Sequence, residues 1–381
     1  MFYTSATIMR IGIDGFPYIF KGAGVARYVT AMLNEMVVLA PEDEFFIYAP
    51  MPVEIPLLPA ANWRLRVVKS VLSQRPTLWT QIVLPKALAA DGIDVFWAQP
   101  TYLPLAAKCF RILTVHDLVP YVAPWSMELR CLLQMRMRLG RIARAAELVV
   151  CVSDATAKLA QRYLKLNPEK IRVIKEAAAP VFYPIELSEA KRLVAERFGI
   201  DGDYIIFVST IEPRKDHLLL LKALEMVPDA PLLVLVGGIG WRCGRILKEI
   251  RRFEKEGRVR YLGRVDDEQL RLLYSGARLA VYPSRYEGFG LPVLEAMACG
   301  CPVLASDSSS LPEVGGEAAV YFRTGDAFEL ARKLRDLLHD EERLRLMARQ
   351  GVQRAQQFSF KKSAREFLEI IKKEVTKFYS S

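Results

Sequence analysis

The feature that most restricts this chain is an alternation carried along nearly its whole length. Short runs rich in Val, Ile and Leu, each of strand length, are separated by amphipathic stretches of helical period. Strands interleaved with helices in this way belong in mostly parallel sheets covered by helices on both faces. In the first half the pattern predicts strands at Arg10–Asp14, Phe45–Ala49, Leu65–Val68, Val95–Ala98, Ile112–His116, Leu148–Val152 and Ile171–Ile174, and helices over Val25–Leu39, Thr80–Ala90, Met127–Ala146 and Ala155–Leu164. The second half repeats the theme, with strands expected from Tyr204–Ser209 to Ala319–Phe322 and helices from Ser188–Phe198 to Glu341–Phe358. The proline-bearing stretch Ala179–Pro184 separates the two series, and Phe360–Phe378 reads as one amphipathic helix after Ser359. At 381 residues the chain is too long for one compact domain. The expected architecture is α/β: two doubly wound, Rossmann-like domains, 1–182 and 183–358, facing across a cleft, and a helical tail, 359–381. Ligands of such sheets bind outside the carboxyl ends of the strands, so chemistry is sought in the loops there.

Composition narrows the setting. A hydrophobic share of 52% with 25% charged residues excludes a largely disordered chain. No apolar run reaches the roughly 18 residues of a membrane-spanning helix. The opening MFYTSATI lacks the basic and apolar regions of a secretory leader, and the six Cys lack paired spacing. A cytoplasmic location is therefore expected. The net charge is +10, from 53 basic and 43 acidic residues, with most of the excess in the first half. Such a balance fits nucleic acid, anionic lipid or a phosphorylated ligand, and does not choose among them.

Four strand-end segments hold candidate residues. After the first strand, Gly22-Ala23-Gly24 precedes a helix, where backbone N–H groups can approach an anion. Arg27 occupies the third position of a Gly-x-Gly-x-x-Gly set, so a dinucleotide fingerprint is absent, and the loop reads equally as a flexible turn. Ser209–Asp216 places Arg214 and Lys215 at a helix mouth, a favourable place for a phosphate, although adjacent basic residues are commonly just a solvated surface. In Ser284–Glu295, Glu287 lies in a Gly-containing loop and Pro292 suits a first helical turn. Glu295 then falls in an apolar helix, where a buried carboxylate needs a partner. Its alternative role is that of a dipole partner. Two such acceptors could hold sugar hydroxyls. His116-Asp117 ends a strand of the first domain, where a His can be structural or face a cleft. No His, Cys or acidic cluster has metal-ligand spacing, and Cys299-Gly-Cys301 reads as packing.

Together these segments resemble the family 4 retaining glycosyltransferases, which have the GT-B fold. The run Glu287-Gly288-Phe289-Gly290-Leu291-Pro292 to Glu295-Ala296-Met297-Ala298-Cys299-Gly300 resembles the family's Glu-x7-Glu motif. Gly22-x-Gly24-Val25-x-Arg27-Tyr28, His116-Asp117-Leu118-Val119-Pro120, Val152-Ser153, Ile174–Phe182, Glu212-Pro213-Arg214-Lys215 and Leu311-Pro312-Glu313-Val314 follow in the family's order. The resemblance implies that Arg214 and Lys215 bind the donor pyrophosphate. It implies that Glu295 accepts hydrogen bonds from ribose hydroxyls and that Glu287 contacts the transferred sugar. Backbone amides of Phe289, Gly290 and Leu291 would lie near sugar and phosphates, and His116 beside the donor sugar. Gly22 and Gly24 would close the cleft, and the last helix would cross back to the first domain. Ala26 stands where relatives often have Gly. Lys175-Glu176-Ala177 replaces the usual Asn-Gly, which resembles a subgroup containing many mannosyltransferases that use GDP-mannose.

The implied reaction transfers a sugar, mannose being the best-fitting one, from a nucleotide-sugar donor to a glycan or lipid-linked glycan in polysaccharide biosynthesis. It is implied to proceed with no metal and no other cofactor, the positive charge coming from basic side chains. Residues 129–146 carry Arg130, Arg136, Arg138, Arg141 and Arg144 interleaved with Leu and Met and no acid. That pattern suits a peripheral helix on an anionic membrane, and equally a packed helix with a solvated Arg face. Two other classes stand beside this reading. A sugar-nucleotide epimerase of GT-B architecture would turn over donor without acceptor. A nucleic-acid-binding protein is suggested by charge alone and lacks a recognition motif; no nucleic-acid partner is expected.

Overall fold

The computed structural model describes residues 8–19, 23–100 and 102–380. Among the described residues thirteen strands fall into two sheets. The first sheet contains β1 (Arg10–Asp14), β2 (Glu44–Ala49), β3 (Trp63–Val67), β4 (Val95–Ala98), β5 (Phe110–Val115), β6 (Leu148–Cys151) and β7 (Ile171–Val173), in the order β3-β2-β1-β4-β5-β6-β7. The second contains β8 (Tyr204–Val208), β9 (Leu232–Val236), β10 (Val259–Tyr261), β11 (Leu279–Tyr282), β12 (Val303–Ser306) and β13 (Ala319–Phe322), in the order β10-β9-β8-β11-β12-β13. Every pairing is parallel. Both orders reverse beside the first strand of their series, the arrangement that leaves a ligand crevice at the carboxyl ends. The central strands β4, β6, β8, β11 and β12 are buried throughout, which is why they read as continuous apolar runs.

Two compact units result. One comprises Met1–Leu118, Leu133–Glu176 and Ser359–Ser381; the other comprises Val119–Leu132 and Ala177–Phe358. The division falls at Glu176 rather than within 182–183. It also assigns Val119–Leu132, a segment with Pro120 and Pro124, to the second unit.

The last helix, Phe360–Ser380, belongs to the core of the first unit. Ala364, Phe367, Leu368, Ile371 and Val375 are buried among Met32, Leu33, Met36 and Trp97. The Phe367 ring lies 4.9 Å from that of Trp97, and Trp97 donates its indole N–H to Thr114. Polar ties flank this contact. Arg172 reaches Glu374 at 2.6 Å, and Ser363 Oγ donates to the Lys175 carbonyl at 2.7 Å.

The predicted helix Thr80–Ala90 is composite: a π-turn, Trp79–Val83, leads into an α-helix, Leu84–Ala90. Pro85 accounts for the break, because it has no N–H for the ladder. Among the described residues no helix is long and apolar enough to cross a membrane.

Candidate active site

The carboxyl ends of β8 and β11 bring three charged side chains of the second unit together. After β8 the chain makes a short 3-10 turn, Pro213–Lys215, closed by Asp216 in the left-handed region at φ 54°. After β11 it forms the loop that carries Glu287. The Arg285 backbone N–H donates to the Arg214 carbonyl at 2.8 Å and ties the two loops. Lys215 Nζ donates to both carboxylate oxygens of Glu287, at 2.6 and 2.7 Å. Arg214 Nη1 reaches Glu287 Oε2 at 3.2 Å and the Tyr286 carbonyl at 3.0 Å, while its Nε pairs with Glu212 at 2.6 Å.

Burial and charge oppose each other in this cluster. Desolvation pushes the Glu287 carboxyl upward, but the pull of Lys215 and Arg214 outweighs it, and the group titrates below the usual range. For Lys215, desolvation and the neighbouring Arg214 lower the pKa despite the carboxylate. The Glu287 loop is held from behind by serines. Ser309 Oγ accepts from the Glu287 N–H at 2.8 Å, and Ser310 Oγ donates to its carbonyl at 3.1 Å.

The same loop runs through Phe289 and Gly290 into the helix Leu291–Ala298. Gly290 is the N-cap, with φ 104°, and no side chain caps this helix mouth. A Cβ at Gly290 would lie 2.9 Å from Leu311 Cδ2, so the position favours glycine for both conformation and space. Phe289 is buried edge-on to Phe358 at 5.9 Å. Glu295 is buried within the helix, where its charge contributes to raising the Tyr274 and Tyr282 hydroxyl pKa values after the larger effect of burial.

His116 belongs to the other unit and follows β5. Its Nδ1 lies 3.1 Å from Glu176 Oε1 and its Nε2 lies 2.9 Å from Gln99 Oε1, while Tyr28 stands edge-on at 4.9 Å. The imidazole is thus held at both nitrogens. Sequence reasoning did not single out Gln99 or Glu176 as partners of His116, because they approach it from after β4 and after β7. The only signal was Glu176 in place of the usual Asn-Gly.

Asp14, at the end of β1, was also missed. It is buried, with Oδ1 accepting from the Phe16 N–H and Oδ2 without a partner. Burial lifts its pKa to about 7 against the pull of the Phe16 and Gln99 backbone N–H groups. Gly24 lies inside the helix Ala23–Leu39, and no atom stands within 4 Å of a Cβ built on it. In this loop it is Gly15 that space demands, since a Cβ there would meet the Tyr48 carbonyl oxygen at 2.5 Å. Gly22 lies outside the described residues. The site residues therefore divide into Arg214, Lys215, Glu287, Phe289, Gly290, Leu291 and Glu295 in the second unit, and His116 and Gly24 in the first. Among the described residues no group of three His, Cys, Asp or Glu side chains is placed to hold a metal ion.

A pair of parallel α/β units, with cations and carboxylates at strand ends of the second, defines the GT-B class of protein. In overall structure the chain is similar to sucrose-phosphate synthase from Thermosynechococcus elongatus, with TM-score 0.77 and 21% identity over 98% of this chain and 100% of that one. It is likewise similar to HepE from Anabaena, solved in complex with UDP and glucose, with TM-score 0.73 and 19% identity over 96% and 99%. Residues 23–177 match the family described as Glycosyltransferase Family 4, and 194–354 match Glycosyl transferases group 1. Over 275 residues the chain is 32% identical to O-antigen chain mannosyltransferase B of Escherichia coli, covering 71% of this chain and 72% of that protein. The chain belongs to the family 4 glycosyltransferases.

Proposed function

We propose that this protein is a retaining glycosyltransferase that moves mannose from GDP-mannose to a glycan or lipid-linked glycan acceptor, without a metal ion. The observation that carries this reading is the cluster of Arg214, Lys215 and Glu287 beside the uncapped mouth of the helix Leu291–Ala298. When a nucleoside diphosphate leaves an anomeric carbon, negative charge gathers on the diphosphate. Arg214 and Lys215 stabilise that charge electrostatically, helped by the helix-mouth amides from Phe289 to Leu291. Glu287 holds Lys215 in place and accepts a hydrogen bond from a hydroxyl of the transferred sugar. Glu295 accepts from the ribose hydroxyls. In the first unit His116 is fixed at both ring nitrogens by Glu176 and Gln99. The choice of mannose rests on the Lys175-Glu176-Ala177 variant and on the mannosyltransferase relative.

The test is a donor screen with GDP-, UDP- and ADP-sugars, read by release of nucleotide and by the anomeric configuration of product in proton NMR. GDP-mannose with an α-linked product supports the reading. Turnover of donor with no acceptor, giving an isomerised sugar nucleotide, ends it. Activity retained in excess EDTA supports the metal-free step, and activity restored only by a divalent ion refutes it.

The acceptor side includes a membrane surface. The helix Leu129–Ala145 exposes Leu129, Leu133 and Met137 together with Arg130, Arg138, Arg141 and Arg144. Apolar side chains flanked by guanidinium groups suit an anionic lipid interface on the inner face of the cytoplasmic membrane. Salt-sensitive flotation with anionic liposomes, lost in Arg138→Glu/Arg141→Glu, is the expected result; no flotation at low salt removes the membrane from the proposal.

A further inference from the structure

A second concentration of positive charge in the second unit lies outside the Lys215–Glu287 cluster. A cavity of about 440 Å³ is lined by Trp125, Asp216, His217, Arg242, Arg245 and Arg285 among others. Three guanidinium groups face one carboxylate there, leaving two positive charges. Asp216 engages Arg285 Nε at 2.6 Å, and the Arg285 guanidinium lies 5.8 Å from the Trp125 ring centre. The Arg214–Lys215 cluster is different, because Glu212 and Glu287 meet its two charges.

Three further observations point to an anion in this cavity. Arg242 sits at φ 51°, a left-handed conformation that is strained for a non-glycine residue and recurs at functional sites. Its guanidinium donates to the Trp125 carbonyl at 3.0 Å, which fastens that ring beside the cavity. The helix Gly244–Lys255 has no acid in its first turn and no side-chain cap; instead Arg245 occupies that turn, where the helix dipole disfavours a cation. Finally, His217 is 2% exposed and its Nδ1 has no hydrogen-bond partner, while its Nε2 lies 3.2 Å from Ser209 Oγ. Burial, with Lys215 nearby, lowers its pKa to about 3, so it contributes a neutral ring and one unused hydrogen-bonding atom.

We propose that this cavity is a phosphoryl-anion subsite in which Arg242, Arg245 and Arg285 hold the phosphate or diphosphate of a sugar-phosphate or lipid-phosphate, separate from the donor-binding Arg214 and Lys215. Guanidinium groups match phosphate oxygens in geometry as well as charge. An anion there would satisfy the helix mouth and the arginines at once. The proposal deepens the glycosyltransferase reading by giving the acceptor a phosphorylated group, but the subsite itself requires only the anion.

The experiment is calorimetric titration of inorganic pyrophosphate into the wild-type chain, Arg242→Ala/Arg245→Ala and Lys215→Ala. Arg242 and Arg245 are exposed, so the double variant keeps its fold, which thermal melting verifies. Two classes of binding are expected in the wild type. The class lost in the double arginine variant, weakened about tenfold or more on removing charge-assisted hydrogen bonds, is the subsite. The class lost in Lys215→Ala is the donor site. Loss in the arginine variant alone leaves the subsite standing and overturns the donor assignment. Unchanged binding in the arginine variant overturns the subsite, whatever Lys215→Ala does. Vesicles of neutral phosphatidylcholine, with and without a polyprenyl diphosphate, distinguish the source. Capture that depends on the diphosphate and on Arg245 assigns the subsite to a lipid carrier; pyrophosphate binding without such capture assigns it to a soluble phosphorylated molecule.

Discussion

Lys215 and Glu287 neutralise each other through both carboxylate oxygens, at 2.6 and 2.7 Å, with side chains only 9% and 10% exposed. The pair is therefore structural as well as chemical. Removing one partner strands the other charge in a desolvated place, a change that typically costs about 3–5 kcal/mol. Lys215→Ala is expected to lower transfer at least about 100-fold, as expected on loss of a group that stabilises developing charge, and to lower the melting temperature as well. Lys215→Met/Glu287→Gln should recover much of the thermal stability and none of the transfer. Differential scanning calorimetry beside initial rates separates the two effects. A single variant that melts like the wild type would show that the pair carries no folding energy.

Asp14 and Glu287 should respond to pH in opposite directions. The native Asp14 carboxyl titrates at about 7, against 3.8 for the ordinary group. Between these values the folded chain binds more protons than the unfolded one, so this residue makes stability fall as pH rises. Asp14→Asn keeps an oxygen for the Phe16 N–H and removes the titration. It should raise the unfolding free energy at pH 8, by at most roughly 4 kcal/mol from about 1.4 kcal/mol per pH unit, with a higher melting temperature there, and leave both nearly unchanged near pH 4. Glu287 is lowered in the native state. Its contribution is present above the ordinary carboxylate range and disappears as pH falls through the native value. A melting-temperature series from about pH 2 to 8 on Asp14→Asn, Glu287→Gln and the wild type checks the signs.

Gly290→Ala tests the helix mouth. At φ 104°, with Leu311 Cδ2 2.9 Å from the added methyl group, alanine should cost about 1–3 kcal/mol in backbone strain. It should also weaken nucleotide binding, because the amides from Phe289 to Leu291 shift with it. Chemical denaturation and nucleotide titration, run together, provide the check. Unaltered nucleotide affinity would detach this helix mouth from donor binding.

Phe367→Ala probes the tail. The ring is fully buried against Trp97, and large-to-small changes of this kind cost about 3–5 kcal/mol. The variant should lower the denaturation midpoint of the first unit, read by the fluorescence of Trp97 as its surroundings open to water.

The strands were legible because parallel strands buried on both faces must be apolar, and β1, β4 and β13 coincide with the runs read from Arg10, Val95 and Ala319. The helix ends were less so: Met127–Ala146 shortens to Leu129–Ala145, with Met127 in an extended conformation that no local pattern announces. Glu287 was marked by its glycine-flanked motif. Its grip on Lys215 was not, since the two meet only when β8 and β11 pair. Arg64 and Arg66 lie in a stretch, residues 55–90, that holds no acid, yet β3 lies beside β2, and they pair with Glu44 and Asp91. Gln99 and Glu176 carry no signature of their own, because their position depends on three separate strand ends converging on one imidazole.

The placement of Phe360–Ser380 in the first unit sets an order of assembly on the ribosome. Ala177–Phe358 emerges whole and can condense while synthesis continues. The opening half must wait with its apolar groove uncovered until Phe367 and Ile371 arrive to seal it. A stalled nascent chain ending before residue 360 would thus be a client for chaperones at its beginning rather than at its end.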